Sequence, residues 1–218
     1  MQRSEFQRAL DALQQEILKM GGLVEENIAR SVESLAQQDL DLAEKVFEVE
    51  EAIDRMELQV EETCMRLIAT QQPMAKDLRK ISAAFKIITD LERMGDYSVD
   101  IAKVTKRIGN EPLIKPLIDL PRMALLVQKM VKNALDAYVA EDQELAASVG
   151  EADDEVDSLH KQVFRELLVL MMENPRTINQ ATYLLFVSRS LERIADHATN
   201  ISERVIYLVT GRRIYLND

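Results

Sequence analysis

The sequence predicts an all-α fold of two tandem, pseudo-symmetric three-helix bundles, with six long antiparallel helices. Of its 218 residues, 47% are hydrophobic, only six are Gly and five are Pro, and none is Trp, a composition typical of helical bundles. Apolar residues recur at spacings of three and four along six long stretches. The segment Leu91–Lys103, LERMGDYSVDIAK, recurs as Leu191–Glu203, LERIADHATNISE. An internal repeat of this kind predicts two matched halves.

The first half is expected to contain three helices. Ser4 is a candidate N-cap for the first helix, and Gly21–Gly22 interrupts its middle, marking a bend or a close helix contact. Asp39 is the predicted N-cap of the second helix, which ends before Pro73. The third helix is expected to run from about residue 74 to residue 108.

A proline-rich segment separates the two halves. Residues 111–121 contain Pro112, Pro116 and Pro121, and such a cluster is typical of a linker. The expected domains are therefore a first bundle over residues 1–110 and a second bundle over residues 122–218.

The second half repeats the plan of the first. A fourth helix is predicted from about residue 121 to residue 139. Asp142 is expected to cap a fifth helix that runs to residue 172. A sixth helix is predicted over residues 178–210, with Gly211 just past its end.

The repeated helices carry acidic side chains at a spacing of four. A step of four turns a helical side chain by only about 40°, so these groups lie nearly in a row on one face. A second acidic pair with the same spacing lies on the preceding helix of each half, and neighbouring helices of a bundle can bring two such pairs face to face. The predicted metal ligands are Glu50, Asp54, Glu92, Asp96 and Asp100 in the first half, and Asp153, Asp157, Glu192, Asp196 and Asn200 in the second.

Clustered carboxylates suit hard divalent cations, and carboxylates on facing helices also hold iron. We therefore predict divalent or iron-type metal ions (Mg, Mn, Fe or Zn) at these clusters. His160 follows Asp157 by three residues and could join a site, but a solvated or capping role is the ordinary interpretation of both His160 and His197. The alternative is that the acidic residues form structural ion-pair networks with Arg93 and Arg193.

Charge and motifs exclude several classes of protein. A net charge of −11 argues against binding to nucleic acid or to an anionic membrane. The chain shows neither a signal sequence nor an apolar run of roughly 20 residues, so a cytoplasmic location is expected, with membrane association only through partners. No nucleophile, phosphate-loop or zinc motif indicates an enzyme. A carboxylate-bridged metal hydrolase or oxidase and a metal-free helical scaffold remain as alternatives.

The doubled Leu-Glu-Arg-x-x-Asp helix, its upstream Glu/Asp-x-x-x-Asp pair and the proline-rich midpoint resemble the PhoU family of phosphate-signalling regulators. The resemblance covers essentially the whole chain. It implies two similar three-helix bundles, metal ions on the paired acidic motifs and a homodimer. It also implies a part in phosphate homeostasis and signal transduction: negative regulation of phosphate uptake and of the phosphate-starvation response, as an adaptor between the ATPase subunit of the phosphate ABC transporter and a sensor histidine kinase.

Two positions depart from a perfect repeat of the motif. Asp153 stands where the first half has Glu50, which shortens the reach of the carboxylate. Asn200 replaces the charge of Asp100. The second site is therefore expected to hold a cation less tightly, or to hold fewer ions, than the first.

Overall fold

A computed structural model describes residues 2–216 of the protein, and their side chains from residue 5 onward. The described chain is all-helical, with six long helices and one short 3-10 turn at Pro175–Thr177. The predicted fold class is confirmed. The helices are α1 (Gln2–Gln37), α2 (Leu40–Gln71), α3 (Ala75–Ile108), α4 (Asp119–Ala140), α5 (Gln143–Glu173) and α6 (Ile178–Thr210).

The helices pack as two sets of three. Helices α1, α2 and α3 pack on one another, as do α4, α5 and α6, and the two sets meet where α1 contacts α4 and α3 contacts α6. One cluster of buried apolar side chains includes residues from all six helices, so the division into separate domains stays a prediction. In the described part of the chain, no helix combines the length and the apolarity that crossing a membrane requires.

Aspartate side chains begin the second helix of each half. Asp39 accepts a hydrogen bond from the Leu42 N–H at 2.9 Å, and Asp142 accepts one from the Leu145 N–H at 3.1 Å. These bonds satisfy first-turn N–H groups that lack a partner within the helix, and both predicted caps are confirmed. The predicted cap at Ser4 is wrong, because α1 already begins two residues earlier.

The double glycine of α1 lies at a contact between the halves. Helix α1 runs without interruption through Gly21–Gly22, so the predicted interruption is wrong. A Cβ atom at Gly21 would collide with the Leu135 side chain of α4. The glycine therefore lets α1 and α4 approach closely, and the predicted close contact is confirmed.

The connection between α3 and α4 spans residues 109–118 and is fixed by a glutamine of α6. Gln180 is buried; its Oε1 accepts a hydrogen bond from the Ile114 N–H at 2.6 Å, and its Nε2 donates to the Pro112 carbonyl at 3.1 Å. Helix α4 begins two residues earlier than predicted, so Pro121 lies in its first turn. Proline is tolerated there because first-turn N–H groups have no helical acceptor.

Candidate metal centres

The internal repeat relates the two halves position by position. Asp39 and Asp142 are 103 residues apart, and Leu91 and Leu191 are 100 residues apart, so each position of α2 has its counterpart in α5 and each position of α3 in α6. We call Glu50, Asp54, Glu57, Glu92 and Asp96 of α2 and α3 the first acidic cluster. The second acidic cluster is Asp153, Asp157, Glu192 and Asp196 of α5 and α6.

Carboxylates of α2 and α3 influence one another across the first acidic cluster. Burial raises the pKa of Glu50, and the charges of Asp54 on its own helix and Asp96 on the facing helix raise it further. Burial also raises the pKa of Glu92 to about 7, with Asp96, Glu57 and Asp54 adding to the shift. A raised carboxyl pKa means that the folded chain resists the charged form. The structure thus brings the predicted pairs of the first half together.

The second acidic cluster lines an open cavity of about 690 Å³. All four of its carboxylates face this cavity, and Leu216 of the C-terminal segment packs beside it against Gly150. Burial raises the pKa of Asp153 to about 7, and the charges of Asp196, Asp157 and Glu192 add to this effect. The cavity is therefore both open and strongly acidic.

Basic side chains hold several of these carboxylates. The Nη1 atoms of Arg93 and Arg193, which occupy equivalent positions, lie 3.0 Å from the nearest carboxylate oxygens of Asp96 and Asp196. These are the ion pairs expected if the acidic residues form structural networks with Arg93 and Arg193 and do not bind a metal. In addition, Arg189 pairs with Glu192.

The cluster geometry is not that of an assembled coordination sphere. Across the described residues, no three His, Cys, Asp or Glu side chains are gathered closely enough to hold one metal ion. Arg93, Arg193 and Arg189 each pair with a carboxylate of the clusters. Coordination of one ion would require these side chains to rotate.

Glu192 provides a test of whether the residues fit a cation. Its side chain is only 13% exposed, and its Oε2 is buried without a hydrogen-bond partner among the described residues. A buried carboxylate oxygen without a donor is costly. A bound cation would satisfy this oxygen. The donor set, all hard oxygen, fits a divalent cation.

Two of the predicted ligands lie outside the clusters. The carboxylate of Asp100 is exposed and accepts a hydrogen bond from Lys103 at 2.8 Å. The amide of Asn200 donates to Asp90 of α3 at 3.3 Å. The structure thus brings eight of the ten predicted residues into the two clusters and does not bring these two.

Each histidine contacts a polar side chain of another helix, and one glutamate extends the first acidic cluster. His197 Nδ1 lies 2.8 Å from Asp90, across the contact between α3 and α6. His160 Nδ1 lies 2.8 Å from the hydroxyl of Ser188, and burial lowers the pKa of His160, with the charge of Arg189 adding to this. Glu57, which belongs to the first acidic cluster, was missed from the sequence. The 103-residue repeat would have identified it as the counterpart of His160.

The fold and the two acidic clusters define the class of protein as an all-helical tandem repeat with acidic pairs on facing helices. The family model described as the PhoU domain matches residues 17–105 and again residues 120–205. The chain belongs to the PhoU family.

Named relatives match this chain in sequence over most or all of its length. The chain is 44% identical over 219 residues to a phosphate-specific transport system accessory protein PhoU homolog of Clostridium acetobutylicum, with 100% of both chains covered. It is 40% identical over 210 residues to the homolog of Pseudomonas aeruginosa, covering 95% of this chain and 86% of that protein.

Solved structures agree with the fold. A crystal structure of PhoU from Pseudomonas aeruginosa superposes with a TM-score of 0.91 at 40% identity, covering 95% of this chain and 100% of that one. A phosphate transport system regulatory protein PhoU from Streptococcus pneumoniae gives a TM-score of 0.89 at 32% identity, covering 96% of this chain and 99% of that one. The resemblance to this family is confirmed.

Proposed function

We propose that this chain is a regulator of phosphate transport that works as a cation-binding adaptor. The observation that carries the proposal is the full-length identity of 44% with a protein named as an accessory protein of the phosphate-specific transport system. That name describes an assisting role rather than a catalytic one. The two acidic clusters, repeated at equivalent positions, support cations as part of the mechanism.

The carboxylates of both clusters would hold the cation. In the second acidic cluster, Asp153 and Asp157 of α5 and Glu192 and Asp196 of α6 would turn toward one ion and draw the two helices together. A bound divalent ion supplies positive charge and open coordination positions for phosphate or for an acidic side chain of a partner. Neutralising the cluster also lowers the pKa of Asp153, which keeps that carboxylate ionised as a ligand.

The same rearrangement would change the surface beside each cluster. Arg93 and Arg193 now pair with Asp96 and Asp196. When those carboxylates turn toward a cation, both guanidinium groups become available to an anionic group of a partner. Cation occupancy would thereby be coupled to docking.

The proposed partners follow from the names of the relatives and from the family resemblance. The chain would bind the phosphate ABC transporter through its ATPase subunit and also a sensor histidine kinase, as a cytoplasmic homodimer. Its output would be repression of phosphate uptake and of the starvation response when phosphate is plentiful.

The first experiment measures an alkaline-phosphatase reporter at high phosphate in a strain that lacks this protein. Wild type should silence the reporter, and the Asp96→Ala, Asp196→Ala double variant should leave most of its activity released. The purified double variant should also retain less metal by elemental analysis. Both effects are expected because each substitution removes a carboxylate from the centre of a cluster.

A matched control uses positions one helical turn further on. The Asp100→Ala, Asn200→Ala double variant changes residues that lie outside the clusters and should repress like wild type. Repression and metal content that survive in the Asp96→Ala, Asp196→Ala variant would refute the role of the clusters. Turnover of simple phosphate esters that rises and falls with metal loading would favour a metal hydrolase instead.

A further inference from the structure

The two clusters differ in the chemistry of one equivalent position. In α2, Glu50, Asp54 and Glu57 follow at steps of four and three, and all three therefore lie on one face of the helix, within about 60° of one another. In α5 the same face carries Asp153, Asp157 and His160. The repeat has thus placed an imidazole where the first half has a carboxylate.

The imidazole of His160 is oriented by the facing helix. Its Nδ1 lies 2.8 Å from the Oγ of Ser188, which is fully buried in α6. This contact uses one ring nitrogen and leaves Nε2 for another role. Histidine ligands of metals commonly have their second nitrogen bonded in this way, which fixes the tautomer and the ring plane. Asp157, which lines the acidic cavity, lies close enough for its charge to act on the ring.

We propose that His160 Nε2 is a nitrogen ligand of the second acidic cluster, so that the two clusters select different cations. The first cluster, with oxygen donors only, prefers hard ions such as Mg²⁺ or Mn²⁺. The second, with one imidazole among its carboxylates, prefers borderline ions such as Zn²⁺ or Fe²⁺. This inference rests on cation binding at the clusters as proposed above and adds a selectivity that the repeat alone does not imply.

In the first cluster the position of His160 is taken by Glu57, so all the side chains of that cluster offer oxygen atoms. Its charge is among those that act on Glu92 of the facing helix, so it belongs electrostatically to the same group. Burial raises the pKa of Glu57, and the charge of Asp54 adds to this. The pair Glu57 and His160 is therefore a single exchangeable position by which the preference of each cluster can be set.

The other soft donors are placed elsewhere. Cys64 is fully buried, and burial raises the pKa of its thiol to about 12, so the thiolate that binds metals is not formed at neutral pH. His197 Nδ1 bonds to Asp90 at the contact between α3 and α6. Of the two histidines in the sequence, His160 is the one on the face of α5 that carries Asp153 and Asp157.

The test exchanges the two residues in the full-length protein. Metal-stripped wild type, His160→Glu and Glu57→His are titrated with Mn²⁺ and with Zn²⁺ separately, and the number and strength of sites are measured by calorimetry. Wild type should show one site that prefers Zn²⁺. His160→Glu should weaken Zn²⁺ at that site by at least about 10-fold while Mn²⁺ binding persists, since even loss of an outer-shell partner costs about 10–100-fold. Glu57→His should create a second site with Zn²⁺ preference.

A spectroscopic readout reports the ligand directly. Zinc-edge X-ray absorption of wild type should show imidazole scattering that is absent in His160→Glu and present in His197→Gln, the matched control for the other histidine. Ser188→Ala should weaken Zn²⁺ at the second cluster by about 10-fold, because the ring loses its orienting contact. Circular dichroism and thermal unfolding establish that each variant is folded.

The outcomes separate this inference from the proposed function. Failure of folded wild type to bind either ion overturns cation binding at the clusters, and this inference with it. Binding of both ions with a Zn²⁺ to Mn²⁺ preference unchanged in His160→Glu overturns the role of His160 alone. If His160→Glu does not fold, the Glu57→His titration and the wild-type absorption spectrum decide the question.

Discussion

The two acidic clusters have equivalent backbone positions but balance their charge differently. The first gathers five carboxylates with one neighbouring guanidinium, Arg93, which lies 3.0 Å from Asp96 and 3.4 Å from Glu92. The second gathers four carboxylates with two guanidinium groups, Arg193 on Asp196 and Arg189 on Glu192. A repeated spacing of carboxylates therefore fixes where the oxygen atoms lie, but not how much charge a ligand must neutralise.

The carboxyl group with the most strongly raised pKa lies on a different helix in each half. In the first cluster, burial raises the pKa of Glu92 in α3 to about 7. In the second, Arg189 opposes the effect of burial on the pKa of Glu192, and Asp153 in α5 is the group raised to about 7, first by burial and then by Asp196. The position of Arg189 is taken by Thr89 in the first half. A residue outside the acidic motif thus contributes to the difference between the two halves.

The largest expected effect is on the pH dependence of stability in metal-free protein. Since the folded-state pKa of Asp153 lies above its unfolded value, the fold binds the proton more tightly, and this contribution is present below about pH 4 and lost as pH rises through about 7. Asp153→Asn replaces the carboxyl group with an amide, which stays uncharged at every pH. It should make the protein more stable than wild type at about pH 8 by about 1–2 kcal/mol, a value reduced for solvent screening, with little change at about pH 4.

Urea unfolding at several pH values checks this prediction. Glu92→Gln should behave in the same way, because burial also raises the pKa of Glu92 to about 7. Asp154→Asn removes an exposed carboxylate next to Asp153 and serves as the matched control, with a clearly smaller change. Saturating Mn²⁺ should reduce the advantage of Asp153→Asn, since a bound cation stabilises the ionised wild type. Parallel stability curves for wild type and Asp153→Asn would contradict the prediction.

A smaller effect is expected from making the second cluster resemble the first at Arg189. Arg189→Thr removes a fixed positive charge from Glu192, so an added cation no longer competes with it. Affinity of the second cluster for Mn²⁺ should rise roughly 5-fold, which corresponds to about 1 kcal/mol, the upper end of what an exposed ion pair contributes. Thr89→Arg should lower the affinity of the first cluster by a similar factor. Calorimetry measures both, and an unchanged affinity in both variants would show that these guanidinium groups do not compete with the cation.

Local sequence signals were sufficient to predict the six helices. The helices follow from apolar spacing, and Asp39 and Asp142 cap their helices through bonds that span only three residues. The clusters could be predicted because a spacing of four fixes the relative direction of Glu92 and Asp96 on one helix. Glu57 was not predicted because it follows Asp54 by three residues and not by four, although the repeat offset aligns it with His160.

Contacts between the halves could not be predicted in this way. Asp90 and His197 are 107 residues apart in sequence, and no local pattern indicates which face of α3 meets α6. The same contact accounts for Asn200, whose amide bonds to Asp90 and not within the second cluster. The orientation of an interface depends on the summed packing of many side chains, and so it has no short sequence signature.

The core beneath the clusters shows a second difference between the halves. In the first half, Gly95 of α3 packs against Ile53 of α2, and a Cβ atom at Gly95 would lie 3.3 Å from Ile53 Cδ1. The equivalent positions of the second half hold Ala195 and Val156, both fully buried. The added methyl of alanine is thus matched by the methylene that valine lacks. The two halves therefore fill equivalent space with two different pairs of residues.

This compensation predicts a coupled pair, with the smallest effect of the series. Gly95→Ala gains up to about 1 kcal/mol of helix propensity but crowds Ile53, and Ile53→Val alone costs about 1 kcal/mol. The double variant should be more stable than the sum of the two by about 0.5–1 kcal/mol in a thermal unfolding cycle. Gly22→Ala is the control, because no atom lies within 4 Å of its Cβ position, and it should stabilise α1 without coupling to Ile53. Additivity of Gly95→Ala and Ile53→Val would show instead that α2 and α3 relax to accommodate the methyl group, and that the match in the second half is incidental.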